Sequence, residues 1–125
     1  MKIPTQYLPV MPYLILNKAA DFLDFSKVVF NASEQFLVSR EDNSIMHAEI
    51  KIGDAVIMIA QSTEHWHQKS SGMFLFVENV DDVYLLAIQK GSKSLQEPIQ
   101  QDYGYTAGFE DPFGNQWWIN QALGE

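Results

Sequence analysis

The stretch YGYTAGFEDPFGNQWWIN, residues 103–120, has the pattern of two β-strands joined by the turn residues Pro112–Asn115. An earlier stretch, MHAEIKIGDAVIMIA at residues 46–60, repeats this pattern around Gly53 and Asp54. Both turns contain glycine beside aspartate or asparagine, the residues that tight turns favour, and apolar residues flank them on each side. Each stretch therefore predicts an antiparallel pair of strands.

The two predicted hairpins form part of a longer repeat. Gly53 and Gly114 are 61 residues apart, and the helix-start candidates Asn17 and Asp81, which follow short apolar strands, are 64 apart. A chain of 125 residues holds this period about twice. The sequence therefore predicts an α+β fold of two βαβββ modules within one domain, 1–125, with module 1 at about 8–60, a polar linker at about 61–71 and module 2 at about 72–121.

The elements of each module follow from apolar periodicity and turn residues. Those of module 1 are a strand at Tyr13–Leu16, a helix of about thirteen residues capped by Asn17, and strands at Glu34–Arg40, Met46–Ile52 and Ala55–Ala60. Those of module 2 are a strand at Met73–Val77, a helix at Asp81–Lys90, a short strand near Ser94–Glu97 and the closing hairpin.

Composition excludes several classes of partner. The chain has 16 acidic and 8 basic residues, a net charge of −8, so it lacks the basic surface that nucleic acid or an anionic membrane requires. A cationic ligand is compatible with this charge. The chain has no cysteine, which excludes disulfides and thiolate chemistry. Pro9 and Pro12 interrupt the apolar run Tyr7–Leu16, which disfavours a secretion signal, so a cytoplasmic location is expected.

Four motifs cover nearly the whole chain: AADFLDF at 19–25, MHAEIKIGDAVIMIA at 46–60, VENVDDVY at 77–84 and YGYTAGFEDPFGNQWW at 103–118. Together they resemble the glyoxalase/bleomycin-resistance/dioxygenase superfamily, also called vicinal oxygen chelate proteins, and within it the PhnB-like branch. The resemblance implies curved mixed sheets around a cavity, usually in a homodimer, and we expect a homodimer here.

The resemblance also bears on metal binding. Metal-dependent members place a His, Glu or Gln ligand on each of four strands, and the corresponding positions here are Met11, Met58, Gly72 and Trp118. A divalent ion needs several oxygen or nitrogen donors at one point, which these residues do not supply. The resemblance therefore implies no metal centre at the usual place and no cofactor, which weakens the case for lyase, isomerase or dioxygenase chemistry.

Strand alternation extends the predicted cavity face beyond these four positions. Tyr13, Phe74 and Phe76 share the face of the former ligand positions, and His47 and Glu49, two residues apart on one strand, point the same way. The predicted ligand pocket comprises Met11, Tyr13, His47, Glu49, Met58, Phe74, Phe76, Tyr105 and Trp118. This mixture of aromatic rings, methionines and a few polar groups is typical of small-molecule sites.

Several of these residues have alternative interpretations. His47 and Glu49 could form an acid/base pair, or a partly solvated polar face with no role. His65 and His67 have a spacing found in metal sites but also by chance, and Trp66 between them could gate a ligand. Asp111, beside Pro112 and Gly114, is better explained as a turn residue than as a catalytic one.

Three hypotheses for function result. The first is a metal-free, non-catalytic protein that binds, and so sequesters, a cationic or aromatic small molecule. The second is a lyase- or isomerase-type enzyme that uses His47 and Glu49. In the third, bulky side chains fill the cavity, and the protein serves only in dimerisation or interaction.

Overall fold

The computed structural model describes residues 1–123 and divides the chain into two compact units. The first unit spans Met1–Lys69, and the second begins at Ser70. The boundary between them lies within the polar stretch 61–71 for which the sequence predicts a linker.

The first unit has the order strand, helix, three strands: β1 (Tyr13–Leu16), α1 (Ala19–Phe30), β2 (Ser33–Ser39), β3 (Ile45–Ile52) and β4 (Ala55–Gln61). The strands form one mixed sheet in the order β1-β4-β3-β2. β1 pairs in parallel with β4, whereas β3 pairs antiparallel with both of its neighbours. Every predicted element of module 1 is present, with bounds that differ by one or two residues.

The second unit repeats this topology: β5 (Gly72–Val77), α2 (Val80–Gln89), β6 (Lys93–Gln101), β7 (Gly104–Glu110) and β8 (Gln116–Gln121). Its sheet has the equivalent order β5-β8-β7-β6, so the predicted α+β fold with βαβββ modules is confirmed. Neither α1 nor α2, the helices within residues 1–123, is long and apolar enough to cross a bilayer.

β6 is longer than predicted. The sequence predicts a short strand near Ser94–Glu97 and a loop from there to Gly104, whereas the observed strand continues through Pro98 to Gln101. The structure tolerates Pro98 because β6 is an edge strand and its pairing with β7 is irregular there, between Gln96 opposite Gly108 and Ile99 opposite Thr106.

The helix starts differ from the prediction. The Asn17 side chain accepts a hydrogen bond from Ser62 Oγ at 2.6 Å, and α1 has no side-chain cap from its own N-terminal flank. The predicted cap at Asn17 is therefore wrong. At α2 the cap is Asn79, two residues before the predicted start at Asp81, and its side chain accepts from the Asp82 N–H at 3.1 Å.

In both units a glutamine at the end of the last strand satisfies the first backbone donor of the helix. Gln61 Oε1 accepts from the Ala19 N–H, and Gln121 Oε1 accepts from the Val80 N–H, each at 3.1 Å. The N–H groups of a first helical turn have no partner within the helix, so a distant side chain can replace a local cap. The internal repeat therefore extends to individual hydrogen bonds.

Each sheet buries one face against its own helix. In the first unit the α1 stripe that the sequence predicts, with Phe22, Phe25 and Val29, is buried and packs on β3 and β4. In the second unit Trp117 and Ile119 of β8 are buried on the side of α2. Burial of this apolar surface is the main stabilising contribution to each unit.

The β7–β8 turn is organised around the buried Asp111. Its carboxylate accepts from the N–H groups of Phe113 and Asn115 at 2.9 Å, from Asn115 Nδ2 at 3.1 Å and from Trp117 Nε1 at 2.8 Å. Burial raises the pKa of Asp111 above its ordinary value, and these hydrogen bonds offset only part of that effect. The predicted turn role of Asp111 is confirmed by these contacts.

Candidate ligand-binding site

In the first unit, four side chains form a row across the sheet on the face opposite α1. Cross-strand pairing places Tyr13 beside Met58, Met58 beside Glu49, and Glu49 beside Phe36. Tyr13 and Phe36 are exposed, whereas Glu49 is only 3% exposed. A buried carboxylate on an otherwise accessible sheet face requires several hydrogen-bond donors to hold it there.

Three side chains supply those donors. The Tyr7 hydroxyl donates to both Glu49 carboxylate oxygens, at 3.0 and 3.1 Å, and Gln35 Nε2 donates to Oε1 at 3.0 Å. His47 Nε2 lies 2.9 Å from Glu49 Oε2. The His47 ring also lies close to two aromatic rings, with centroid distances of 5.8 Å to Tyr13 and 6.1 Å to Phe36.

These contacts shift the pKa values of Glu49 and Tyr7. Burial raises the pKa of Glu49, but the hydrogen bonds from Gln35, His47 and Tyr7 outweigh burial and hold that pKa below its ordinary value. The hydrogen bond from Tyr7 to Glu49 raises the pKa of the Tyr7 hydroxyl. Glu49 is therefore an ionised acceptor at neutral pH, and His47 Nε2 must be the donor in their hydrogen bond.

A cavity of about 470 Å³ lies beside this cluster, at the end of the sheet where β1 and β4 terminate. Its walls are mostly aromatic and aliphatic, and Tyr13, which lines it, has its ring centroid 5.8 Å from that of His47. The lining residues are Tyr13, Ile15, Arg40, Met46, Ala60, Gln61 and Trp66. Tyr13 is thus the one member of the predicted pocket that lines this cavity.

Trp66 reaches the cavity from the loop that follows β4. The Thr63 hydroxyl accepts from the N–H groups of His65 and Trp66, at 3.2 and 3.0 Å, and the Thr63 N–H donates to the Trp66 carbonyl at 2.8 Å. Further along, the Lys69 N–H donates to the Ile15 carbonyl at 3.3 Å. The loop is therefore attached to β1 and holds the Trp66 ring at the cavity wall, although the ring is 68% exposed.

Arg40 is a lining residue that the sequence prediction missed. It follows β2, and its Nη1 donates to Ser44 Oγ at 3.1 Å and to the Ile45 carbonyl at 3.2 Å, while Nη2 donates to the Gln61 carbonyl at 3.4 Å. These bonds fix the guanidinium between two strand ends. A basic residue at the end of a predicted strand was the only sequence signal, and it did not indicate which strands would meet there.

The second unit carries the other predicted aromatic residues. Phe74 pairs with Trp118 across β5 and β8, and the rings of Phe74 and Phe76 meet edge to face at 5.1 Å. The Trp118 ring lies over Gly108, where any Cβ would overlap it. Phe74, Phe76 and Trp118 are exposed on this sheet face.

Tyr105 does not share that face. Gly108 pairs with Trp118, and Tyr105, three residues earlier on β7, points to the opposite side by strand alternation. Its hydroxyl donates to Asp81 at the start of α2, at 2.6 Å, which raises the pKa of Tyr105. The sequence prediction grouped Tyr105 with Trp118, whereas the structure places it on the helix side.

The structure places as follows the positions for which the sequence resemblance suggested a comparison with metal ligands. Met11 precedes β1 and is half-buried, Met58 lies between Tyr13 and Glu49, and Gly72 begins β5. Within residues 1–123, no group of three or more His, Asp or Glu side chains is arranged to hold a metal ion. His65 and His67 are both exposed.

Comparison with known proteins identifies a matching family model and solved structures with the same fold. The model of the glyoxalase/bleomycin resistance protein/dioxygenase superfamily matches residues 10–119. An uncharacterised protein of Mycobacterium bovis is 26% identical over 129 residues, which covers 91% of this chain and 83% of the relative.

Two solved structures show the same fold at low sequence identity. The first is a putative 3-demethylubiquinone-9 3-methyltransferase, a PhnB protein from Bacillus cereus, with a TM-score of 0.76, 15% identity, and coverage of 92% of this chain and all of that one. The second, TioX from Micromonospora sp. ML1, has a TM-score of 0.73, 16% identity, and coverage of 94% and 98%. Since the family model spans nearly the entire sequence, the chain belongs to the glyoxalase/bleomycin resistance protein/dioxygenase superfamily.

Proposed function

We propose that this protein binds a small aromatic molecule in the cavity of its first unit, without a resident metal, and sequesters it rather than converting it. The observation that carries the proposal is the cavity of about 470 Å³ with Tyr13 and Trp66 in its walls. Ligand pockets of proteins occupy roughly 300–1,000 Å³ and combine apolar walls with a few polar groups. This cavity has that size and that composition.

The placement of Trp66 supports the proposal. An indole ring that is 68% exposed contributes little to folding, yet the Thr63 turn and the Lys69 hydrogen bond hold it at the wall. A bound aromatic molecule would cover this ring and gain from stacking and apolar burial. Because the loop is already ordered by these bonds, binding would require little further loss of backbone entropy.

The cavity also bears on the other hypotheses. The hypothesis of a role in dimerisation or interaction alone supposes that bulky side chains fill the predicted pocket. The cavity of the first unit shares only Tyr13 with that pocket, but it is large enough for a small molecule. We therefore favour ligand binding over a role in interaction alone. The exposed aromatic face of Phe74, Phe76 and Trp118 belongs to the second unit and is not part of this cavity.

Replacing Trp66 by alanine should weaken binding of aromatic ligands about tenfold or more, because stacking and burial against an indole ring contribute about 1–3 kcal/mol. Ligands would first be found with a library of aromatic fragments and thermal shift, and their affinities measured by calorimetry. Trp66 is exposed, so its removal should leave the melting temperature of the free protein nearly unchanged.

Two control variants isolate the ring itself. Trp66→Phe keeps an aromatic surface and should retain most of the affinity, whereas His65→Ala removes an exposed neighbour in the same turn and should have no effect. If every ligand found binds the Trp66→Ala variant as tightly as the native protein, the proposed pocket is wrong.

A specific observation favours one alternative, an acid/base enzyme that uses His47 and Glu49. The 2.9 Å hydrogen bond between His47 Nε2 and the buried carboxylate would orient the imidazole for proton transfer. In this alternative Glu49 positions His47, and the second ring nitrogen exchanges the proton with a substrate.

Replacing His47 by alanine distinguishes the two functions. Each ligand found would be incubated with the protein, and its conversion followed by mass spectrometry. An enzyme should show turnover that falls by a factor of roughly 100 or more in the variant, whereas a binding protein should return the ligand unchanged and lose at most an orienting contact. Catalytic conversion by native protein that vanishes with His47 would replace our proposal with the enzymatic one.

A further inference from the structure

We propose that the cavity of the first unit selects aromatic molecules that carry a carboxylate, and that Arg40 recognises this group. The inference rests on the proposed function and adds the charge of the ligand to it. Among the residues that line the cavity, Arg40 is the charged one, and Tyr13 and Trp66 provide the aromatic surface. A planar acid would place its ring against the aromatic side chains and its anionic group at the guanidinium.

The charge of Arg40 has no direct counter-ion. Its three hydrogen bonds go to the Ser44 hydroxyl and to the carbonyls of Ile45 and Gln61, which are neutral acceptors. In the part of the chain that the structure describes, residues 1–123, no carboxylate lies within 4.0 Å of the guanidinium. A guanidinium has five N–H donors, and the bonds named here use three of them.

The nearby acidic residue Asp42 is linked to Arg40 through Ser44, because the hydroxyl that accepts from Arg40 Nη1 donates in turn to Asp42. Its carboxylate accepts from the Ser44 N–H at 2.9 Å and from Ser44 Oγ at 2.6 Å. These bonds close the exposed loop between β2 and β3 and leave Asp42 outside ion-pair distance of Arg40. The Ser44 hydrogen bonds are the main cause of a lowered pKa of Asp42, and the charge of Arg40 also contributes, so the two charges interact without a direct ion pair and without using the remaining donors of Arg40.

The amide of Gln61 cannot substitute for Arg40 in recognition. Its Oε1 accepts from the Ala19 N–H at the start of α1, and its Nε2 donates to the Asn17 carbonyl at 2.6 Å. Rotation of this amide towards a ligand would leave the first donor of α1 without its partner. Arg40 is consequently the side chain through which the cavity can discriminate between ligand charges.

The net charge of −8 does not reverse this preference. Charges on an exposed surface are screened over about 8 Å at physiological ionic strength, whereas a carboxylate in contact with a guanidinium forms short, charge-assisted hydrogen bonds. The planar fork of arginine fits both oxygens of a carboxylate. The sequence-based expectation of a cationic ligand follows from the average charge, but the group at the binding wall decides which ligand is held.

Three probes of equal shape test the inference: naphthalene carboxylate, the corresponding carboxamide and the corresponding methylammonium. Their affinities would be measured by isothermal titration calorimetry at neutral pH for the native chain, Arg40→Gln, Arg40→Lys and Trp66→Ala. The native protein should prefer the carboxylate over the carboxamide by roughly tenfold or more. Arg40→Gln should reduce that ratio to about one, and Arg40→Lys should keep part of it because the charge remains.

The ratio of two affinities within one variant is insensitive to a modest loss of stability, and melting temperatures would confirm that each variant is folded. If all three probes bind equally, or the methylammonium binds best, and Trp66→Ala weakens them, the role of Arg40 is overturned while the proposed function stands. If no probe binds, or if Trp66→Ala leaves binding unchanged, both are overturned.

Discussion

Replacing Asp111 by alanine is expected to destabilise the protein by about 3–5 kcal/mol, the largest effect of any single polar substitution proposed for this chain. The carboxylate is buried and accepts four hydrogen bonds within the β7–β8 turn. Its removal takes away the acceptor of the Trp117 indole N–H and of the Asn115 side-chain amide, both in the buried part of the second unit. Each buried donor without a partner costs about 1–3 kcal/mol.

Urea unfolding followed by circular dichroism would measure this loss. Asp111→Asn should have a smaller effect, since the amide oxygen still accepts while the amide nitrogen faces a donor. Asp54→Ala is the matched control, because Asp54 occupies the equivalent turn of the first unit but is exposed. It should change stability by no more than about 0.5 kcal/mol, and an equal effect of both substitutions would contradict a special role for Asp111.

Replacing Glu49 by alanine is expected to cost about 2–4 kcal/mol, because Tyr7, Gln35 and His47 all lose their common acceptor. The substitution should also release the N-terminal segment, which Tyr7 ties to the sheet. Hydrogen exchange of residues near Tyr7 and Gln35 would detect this release, and urea unfolding would measure the loss of stability.

The pH dependence of stability should identify the same carboxylate. The pKa of Glu49 is lower in the folded state than its ordinary value of 4.5, so its stabilising contribution is present above pH 4.5 and is lost as the pH falls through the lowered pKa. The pKa of Asp111 is raised above 3.8, so its contribution has the opposite sign and is lost as the pH rises through the raised pKa. The exposed Asp42 also has a lowered pKa, but solvent screens its interactions, so we assign the loss of stability on acidification mainly to the buried Glu49 and not to Asp111.

Glu49→Gln should accordingly lose less stability than the native protein between neutral pH and pH 3, as measured by urea unfolding at several pH values. Glu34→Gln is the control, since it removes an exposed β2 carboxylate whose pair with Lys27 contributes little. If Glu49→Gln and native protein lose the same stability over this range, Glu49 does not govern the acid response.

The sequence alone determined the repeat, the order of the elements and which side of β4 and β8 is buried, whereas it placed Tyr105 of β7 on the wrong side. The apolar alternation of β4 and β8 and the stripe of Phe22, Phe25 and Val29 on α1 are local patterns. They are readable because strand and helix periods are properties of the backbone, and burial of one face is the main driving force of folding. The hydrogen-bonded pair His47 and Glu49 was foreseeable for the same reason, since residues two apart on a strand share a face.

Only the tertiary structure decided which residues line the cavity. It also decided which distant side chains accept hydrogen bonds from the first N–H groups of the helices. One cavity is lined by Tyr13, Arg40 and Trp66, which are far apart along the chain. The side chain of Gln61 likewise bonds the Ala19 N–H at the start of α1, 42 residues away. Such contacts depend on loop conformation and on the ends of strands, where periodicity stops and many backbone geometries are accessible. Local patterns therefore predict the strands of each sheet. The hydrogen-bond partners of polar groups at the strand ends depend instead on the tertiary structure.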